Sequence, residues 1–248
     1  MRRCSLLLAG SLALAVAPAR PVAAQGGQTA RDSLARRPMS AVDVAKLGAR
    51  ADSFVVMVQG SPLGYQTTSL TRSADGFAYR TSLQIGPLVQ QTMETRFGAD
   101  LTPQSVRGGG AVQGVTVAIH VAYSGGRVKG SSTLPTAAGI KTTSVDTVLA
   151  RGTLDDNMIG ALVPGLDWKA GASFSAQSFD VGTGSTREIT LSVTGTESMT
   201  VPAGTFEVFR VVRSGQEPAL TLYITTSAPH RVVKIAPEGA PIEFVLAK

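Results

Sequence analysis

Apolar and polar residues alternate along much of the chain. The segments VTVAIHVAY (115–123), REITLSVTG (187–195), ALTLYITT (219–226) and PIEFVLA (241–247) place apolar side chains at every second position. Successive side chains of a β-strand point to opposite faces, so this pattern predicts strands with one face on a core and one face in water. That arrangement is typical of antiparallel sheets.

Glycine-containing turn signals separate these segments at 74–76, 124–126 and 182–184. Together the patterns predict an all-β fold with about a dozen short antiparallel strands and one or two short helices. The strands would form a strongly curved sheet, either a sandwich or an incompletely closed barrel. An outer-membrane barrel is the competing architecture, but aromatic residues make up only 5% of the chain, too few for two interfacial girdles. Many strands also look shorter than a bilayer requires.

Two stretches depart from the strand pattern. Residues 40–48 suggest one short helix between a capping Ser40 and Gly48. TLDDNMIGALVPGL (153–166) suggests another, capped by Thr153 or Asp155 and ended by a Pro-Gly pair. The second helix would divide the strands into runs at about 53–150 and 166–248.

Two glycine-containing stretches are interpreted as loops. In TVPAGTFEVFRVV (200–212), Pro202 to Gly204 would form a three-residue hairpin loop with a glycine bulge. The triple glycine at 108–110 is followed by a strand pattern and suggests a flexible hairpin or bulge loop.

The N-terminus MRRCSLLLAGSLALAVAPARPVAAQ has a basic start, a short apolar run and small residues before Gln25. This pattern predicts a signal peptide over residues 1–24, cleaved near Ala24, and therefore a periplasmic or secreted protein with no transmembrane segment after cleavage. Residues 25–50 would be a flexible basic lead-in. Residues 51–248 would be the β-rich domain, as one unit or as sub-halves 51–150 and 151–248.

Charge is distributed unevenly, although the whole chain carries a net +6. The basic excess lies before residue 51, since the rest of the chain has 15 basic and 15 acidic residues. A nucleic-acid ligand requires a basic face, so we expect no nucleic-acid partner.

Motifs for catalysis or metal binding do not stand out. Cys4, the only cysteine, precedes the apolar run, so the mature chain would have neither disulfides nor thiolate sites, and no lipobox follows. His120 and His230 lie in different segments without spaced carboxylate partners. Nucleophile-elbow, S-x-x-K and phosphate-loop spacings are missing as well. We therefore expect no enzyme activity, no catalytic residues, no metal and no cofactor.

Several longer stretches resemble a known family. FVVMVQGSPLGYQTTSLTRSADGFAYRTS, LTPQSV, VTGTESMTVPAGTFEVFRVVRSG and LYITTSAPHRVVKI resemble the exported bacterial proteins grouped as domain of unknown function 3108. The resemblance covers about residues 53–248 and is most specific at 201–206 and 222–233. These proteins are in turn similar to the open-barrel carriers and receptors of the LolA and LolB kind. The resemblance implies a periplasmic or surface β-fold without established catalysis and assigns no functional residue.

The leading functional hypothesis is an exported, non-enzymatic β-protein that binds a lipid, an acyl chain or an envelope partner on its curved sheet. The alternatives are an interaction module without a small ligand and a hydrolase of unrecognised type. Candidate ligand-binding residues are Arg210, which shares a strand face with apolar side chains, and the amphipathic Tyr223 and Trp168.

Overall fold

The structure is a computed structural model that describes residues 6–9, 11–14, 36–136, 139–216 and 218–248. Most of the predicted signal peptide and the start of the lead-in lie outside these ranges. Two short segments of the leader, Leu6–Ala9 (β1) and Ser11–Leu14 (β2), form a separate antiparallel pair. The signal peptide and the export that it implies stay predictions.

The rest of the described chain forms one 16-stranded sheet. Its strands are Arg37–Pro38 (β3), Arg50–Val58 (β4), Ser61–Ser73 (β5), Gly76–Ile85 (β6), Val89–Phe97 (β7), Pro103–Val112 (β8), Val115–Ser124 (β9), Arg127–Thr136 (β10), Gly139–Val148 (β11), Leu154–Asp155 (β12), Ser173–Asp180 (β13), Ser185–Val201 (β14), Gly204–Ser214 (β15), Leu220–Thr225 (β16), Val232–Pro237 (β17) and Ile242–Leu246 (β18).

Sequential strands pair as antiparallel neighbours from β4 to β11 and from β13 to β18, and the β18–β4 ladder joins the two runs. The short strands β12 and β3 pair with β13 in parallel. The sheet curves until its two ends meet: Ser132 Oγ donates to Val181 O at 2.8 Å, and Thr143 Oγ1 donates to Gly182 O at 3.0 Å. In the described residues no backbone ladder joins β11 to β12 or β13. The prediction of an all-β, incompletely closed barrel is confirmed.

A helical segment packs inside one end of this barrel. It comprises a 3₁₀ turn (Asp156–Met158), one α-helical turn (Ile159–Leu162, α1) and a second 3₁₀ turn (Val163–Gly165). Asp155 caps it by accepting a hydrogen bond from the Asn157 N–H at 2.8 Å. Most of its side chains are buried in one of the two apolar cores. The segment therefore fills one end of the barrel with apolar side chains.

Residues 39–48 form two 3₁₀ turns, Met39–Ala41 and Val44–Lys46, instead of the single predicted helix. Val42 is extended between them, with ψ 128°. Met39 and Leu47 are fully buried beside the helical segment, because apolar burial at these positions outweighs local helix propensity. The C-terminal part of the predicted lead-in is thus packed against the barrel.

The β14–β15 hairpin is longer than its alternation suggests. β14 has 17 residues, and its register shifts at a bulge between Val193 and Gly195, which interrupts the period-2 pattern. Val201 pairs with Gly204, so the loop has two residues instead of the predicted three. Gly204 has φ +134°, a conformation that side chains with a Cβ rarely adopt, and this explains the glycine at the turn.

The triple glycine lies inside strand β8 and not in a loop, contrary to the prediction. Gly110 has φ +145°, and a Cβ there would lie 1.9 Å from the Gln90 carbonyl oxygen. At Gly109 the nearest atom to a Cβ would be 3.5 Å away, an ordinary contact. These glycines permit the close approach of neighbouring strands in a curved sheet.

We expect Gly110→Ala to destabilise the fold by about 2 kcal/mol or more, because it combines an unfavourable φ with a backbone clash. Gly109→Ala, one residue away, is the matched control and should change the free energy of unfolding by less than about 0.5 kcal/mol. Urea denaturation of the two variants measures both values. Equal stability of the two variants would contradict the described backbone of β8.

Candidate functional site

A partly open cavity of about 190 Å³ lies inside the barrel, between strands β4–β7, strands β15–β18 and the helical segment. Alternation along each strand places every second side chain toward this interior. Because β18 pairs with β4, strands from both ends of the chain contribute to the wall. The cavity therefore depends on the long-range topology of the sheet.

Most of the wall is apolar. Aliphatic and aromatic side chains from five strands line it: Phe54, Leu83, Met93, Leu220, Leu222 and Phe244. These residues are buried. Such a wall favours hydrocarbon over water.

A group of charged side chains interrupts the apolar wall where β4 enters the barrel. Arg231 binds Asp52 Oδ1 through Nε at 3.0 Å and Nη2 at 2.6 Å. Arg50 Nε lies 4.0 Å from Asp52 Oδ2. Arg50 Nη2 donates to the carbonyl oxygens of Ala161 at 3.0 Å and Gly160 at 3.3 Å. Arg50 thus connects the sheet to the helical segment, and burial lowers the pKa of its guanidinium from the ordinary value.

A second charged group lies on the other side of the helical segment. Asp156, only 2% exposed, accepts hydrogen bonds from Arg213 Nη2 and, at 2.9 Å, from Ser178 Oγ. Arg187 lies between Asp156, at 3.5 Å, and Asp180, at 3.0 Å. Burial lowers the pKa of Arg213, while the charge of Asp156 opposes that shift. This network anchors the start of the helical segment to β13, β14 and β15.

The residues proposed from the sequence do not line the cavity. Arg210 is exposed. Tyr223 is half-buried, with Lys234 Nζ 5.7 Å from its ring centroid. Trp168 is buried, donates from Nε1 to Val163 O at 2.8 Å and packs edge-on against Phe174. The structure does not bring these three side chains together, and a ligand role for them stays a prediction.

The charged residues of the cavity were missed, although the sequence contains a signal for them. Arg213 continues the buried stripe of Phe209 and Val211 at the next alternate position. Arg50 and Asp52 likewise precede Phe54 at alternate positions on the inward face of β4. The signal is a charged residue in register with an apolar stripe, a pattern that Arg210 also shows.

The two histidines lie on separate segments of the chain and do not form a common site. His120 is exposed on β9, and His230 Nδ1 lies 2.8 Å from the Thr225 carbonyl oxygen. Within residues 36–136, 139–216 and 218–248, no group of three or more histidine, cysteine, aspartate or glutamate side chains is placed to hold a metal ion. No helix in the described ranges is both long and apolar enough to cross a membrane.

The fold and its interior define the class: an all-β, open-barrel protein with an amphipathic internal cavity. The family model of DUF3108, described as a protein of unknown function, matches residues 42–245. The chain belongs to this family, as the sequence resemblance predicted.

One solved structure, a "Beta-barrel-like Protein of Domain of Unknown Function DUF1849 from Brucella abortus", is similar to this chain at 12% identity and a TM-score of 0.44. The match covers 80% of this chain and 94% of that chain. Among curated proteins, no relative matches significantly. Similarity to carriers of the LolA and LolB kind stays a prediction.

Proposed function

We propose that the barrel interior binds a small amphipathic molecule with one apolar chain, and that the protein is an exported, non-enzymatic binding protein. The observation that carries this proposal is the cavity itself, which is internal, mostly apolar and lined by a few charged side chains. Its volume of about 190 Å³ is comparable with the roughly 150 Å³ apolar cavity that accepts benzene in another protein. That size suits a short acyl chain or a single ring and is too small for a two-chain lipid.

Export and the absence of catalysis, the other parts of the proposal, rest on the leader pattern and on the charged network. The leader pattern of residues 1–24 supports export. The non-enzymatic assignment is supported by the network geometry, in which Asp52 and Asp156 are held by arginine side chains. In each of them Oδ1 already accepts a hydrogen bond from a guanidinium group, so this oxygen is engaged by the protein itself.

We test ligand binding with octanoate and 1-octanol, two eight-carbon probes, by isothermal titration calorimetry on the mature chain. Saturable binding of at least one probe is the expected result. A native mass spectrum of protein purified without added detergent provides a second readout, namely a bound molecule of low mass. If neither probe binds and no ligand co-purifies, the proposed function is wrong.

Two adjacent substitutions in β6 locate the binding. Thr81 lines the cavity, and its neighbour Ser82 points to the opposite face. Thr81→Phe should fill the cavity and reduce probe affinity about tenfold or more, because a ring occupies the space of the acyl chain. Ser82→Phe should leave the affinity within about twofold. Equal affinities in the two variants would place the binding outside the barrel.

A further inference from the structure

We propose that the cavity selects ligands with a carboxylate head group and that Arg50 is the residue that binds this group. This inference rests on the proposed function and adds the chemical class of the ligand. The ligand would be a small monocarboxylate whose hydrocarbon part lies against the apolar wall.

The cavity wall carries an excess of positive charge. Three arginines line it, Arg50, Arg213 and Arg231, against two acids, Asp52 and Asp156. Asp52 is bound through two contacts by Arg231, and Asp156 accepts a hydrogen bond from Arg213. The wall therefore carries one positive charge more than its own carboxylates neutralise. A ligand with one negative charge would neutralise it.

Arg50 has one donor nitrogen that is not hydrogen-bonded within the described part of the chain. Its Nη2 donates hydrogen bonds to the carbonyl oxygens of Gly160 and Ala161, and these bonds fix the plane of the guanidinium. Its Nη1 is buried and has no hydrogen-bond partner among the described residues. A buried charged donor without an acceptor is costly. An anionic oxygen bound at Nη1 would remove that cost and gain a charge-assisted hydrogen bond.

Contacts within the protein hold the Arg50 side chain in position without a ligand. The contact of its Nε with Asp52 and the two carbonyl contacts of Nη2 restrict the side chain, which is 20% exposed. A donor fixed in this way loses little conformational entropy on binding. Arg50 therefore combines an unused donor with a restrained geometry, in a wall that carries one excess positive charge.

The unused donor of Arg50 and the one excess charge of the wall match a monoanion. A carboxylate carries that charge on two oxygens, whereas a phosphate monoester carries about two charges at neutral pH. We therefore assign the head group to a carboxylate. A phosphate monoester is the other anionic head group to consider, and octyl phosphate is the probe that distinguishes it from a carboxylate.

The test compares octanoate, 1-octanol and octyl phosphate on the wild-type chain by calorimetry. We expect octanoate to bind about tenfold or more tightly than 1-octanol, the difference that one hydrogen bond to a charged group supplies. Octyl phosphate should bind more weakly than octanoate. Equal binding of octanoate and 1-octanol would overturn this inference and leave the proposed function intact, whereas binding of neither would overturn the proposed function. Tighter binding of octyl phosphate would overturn the assignment to a carboxylate.

Arg50→Met tests the residue, because it keeps most of the side-chain length and removes the charge. It should abolish the preference for octanoate while 1-octanol affinity stays within about threefold. Arg151→Met, at an exposed arginine in the turn before β12, is the control and should keep the wild-type preference. Arg50→Lys retains the charge but not the second donor nitrogen, and it should keep part of the preference for octanoate over 1-octanol. An unchanged preference in Arg50→Met would show that another group binds the carboxylate.

Discussion

Replacement of Asp156 by alanine is expected to destabilise the folded chain by about 3–5 kcal/mol, the usual cost of leaving a buried charge without its partner. Asp156 and Arg213 are 2% and 5% exposed, and the Nη2 of Arg213 has its hydrogen bond to this carboxylate. Without the carboxylate, the guanidinium would remain buried beside Arg187 with its charge only partly compensated. A protein of this size should melt about 10 °C lower as a result.

Asp146→Ala is the matched control, since Asp146 is also paired with basic residues, Arg127 and Lys129, but on the exposed surface of β10 and β11. Exposed ion pairs add little to stability, so its melting temperature should be indistinguishable from that of the wild type. Differential scanning calorimetry at one pH measures both variants. Similar melting temperatures for Asp156→Ala and Asp146→Ala would show that the described network does not stabilise the helical segment.

The second large effect is a dependence of stability on pH that comes from Asp155. Burial raises the pKa of this carboxyl from 3.8 to about 6, although hydrogen bonds from Tyr123 and Asn157 act in the opposite direction. Between pH 4 and pH 6 the unfolded chain has lost this proton and the folded chain still holds it. The folded state therefore loses stability as pH rises through this window, by about 3 kcal/mol in total between about pH 3 and about pH 7.

Asp155→Asn isolates that contribution, because asparagine resembles the protonated carboxyl and does not titrate. The free energy of unfolding of the variant minus that of the wild type should increase by about 3 kcal/mol between about pH 3 and about pH 7 and stay constant above that. Urea denaturation at intervals of half a pH unit measures this difference. Surface acids with lowered pKa values, such as Asp100 and Asp167, contribute equally to the pH dependence of both proteins. Their contributions therefore cancel in the difference between the two free energies of unfolding. A flat difference, or one of opposite sign, would contradict the described environment of Asp155.

Local pattern was sufficient for most of the fold. The alternation at 115–123 and 219–226 corresponds to β9 and β16, and Asp155 caps the helical segment as expected. The failures have physical causes. The glycines of β8 were assigned to a loop because sequence does not show that a neighbouring strand approaches within 1.9 Å of a hypothetical Cβ. The single helix at 40–48 failed because tertiary burial of Met39 and Leu47 outweighed helix propensity.

The candidate site was less accessible to sequence reasoning. Both faces of β15 carry apolar residues. Arg210 and Arg213 are therefore each a charged residue on an apolar face, and only the fold shows which face is internal. Arg50 and Arg231 are 181 positions apart, and they meet through Asp52 because β4 pairs with β18 and β18 with β17. Residue spacing contains no direct information on such a pairing.

The central claim is that a carboxylate with an acyl chain binds inside the barrel, and Met93 reports on it directly. Met93 lines the cavity, whereas Met39 and Met57 do not. In a protein with ¹³C-labelled methionine methyl groups, titration with octanoate should shift the Met93 resonance in a saturable manner and leave Met39 and Met57 unchanged, with Met93→Leu providing the assignment. A Met93 resonance that stays fixed while octanoate binds would place the ligand elsewhere and contradict the claim.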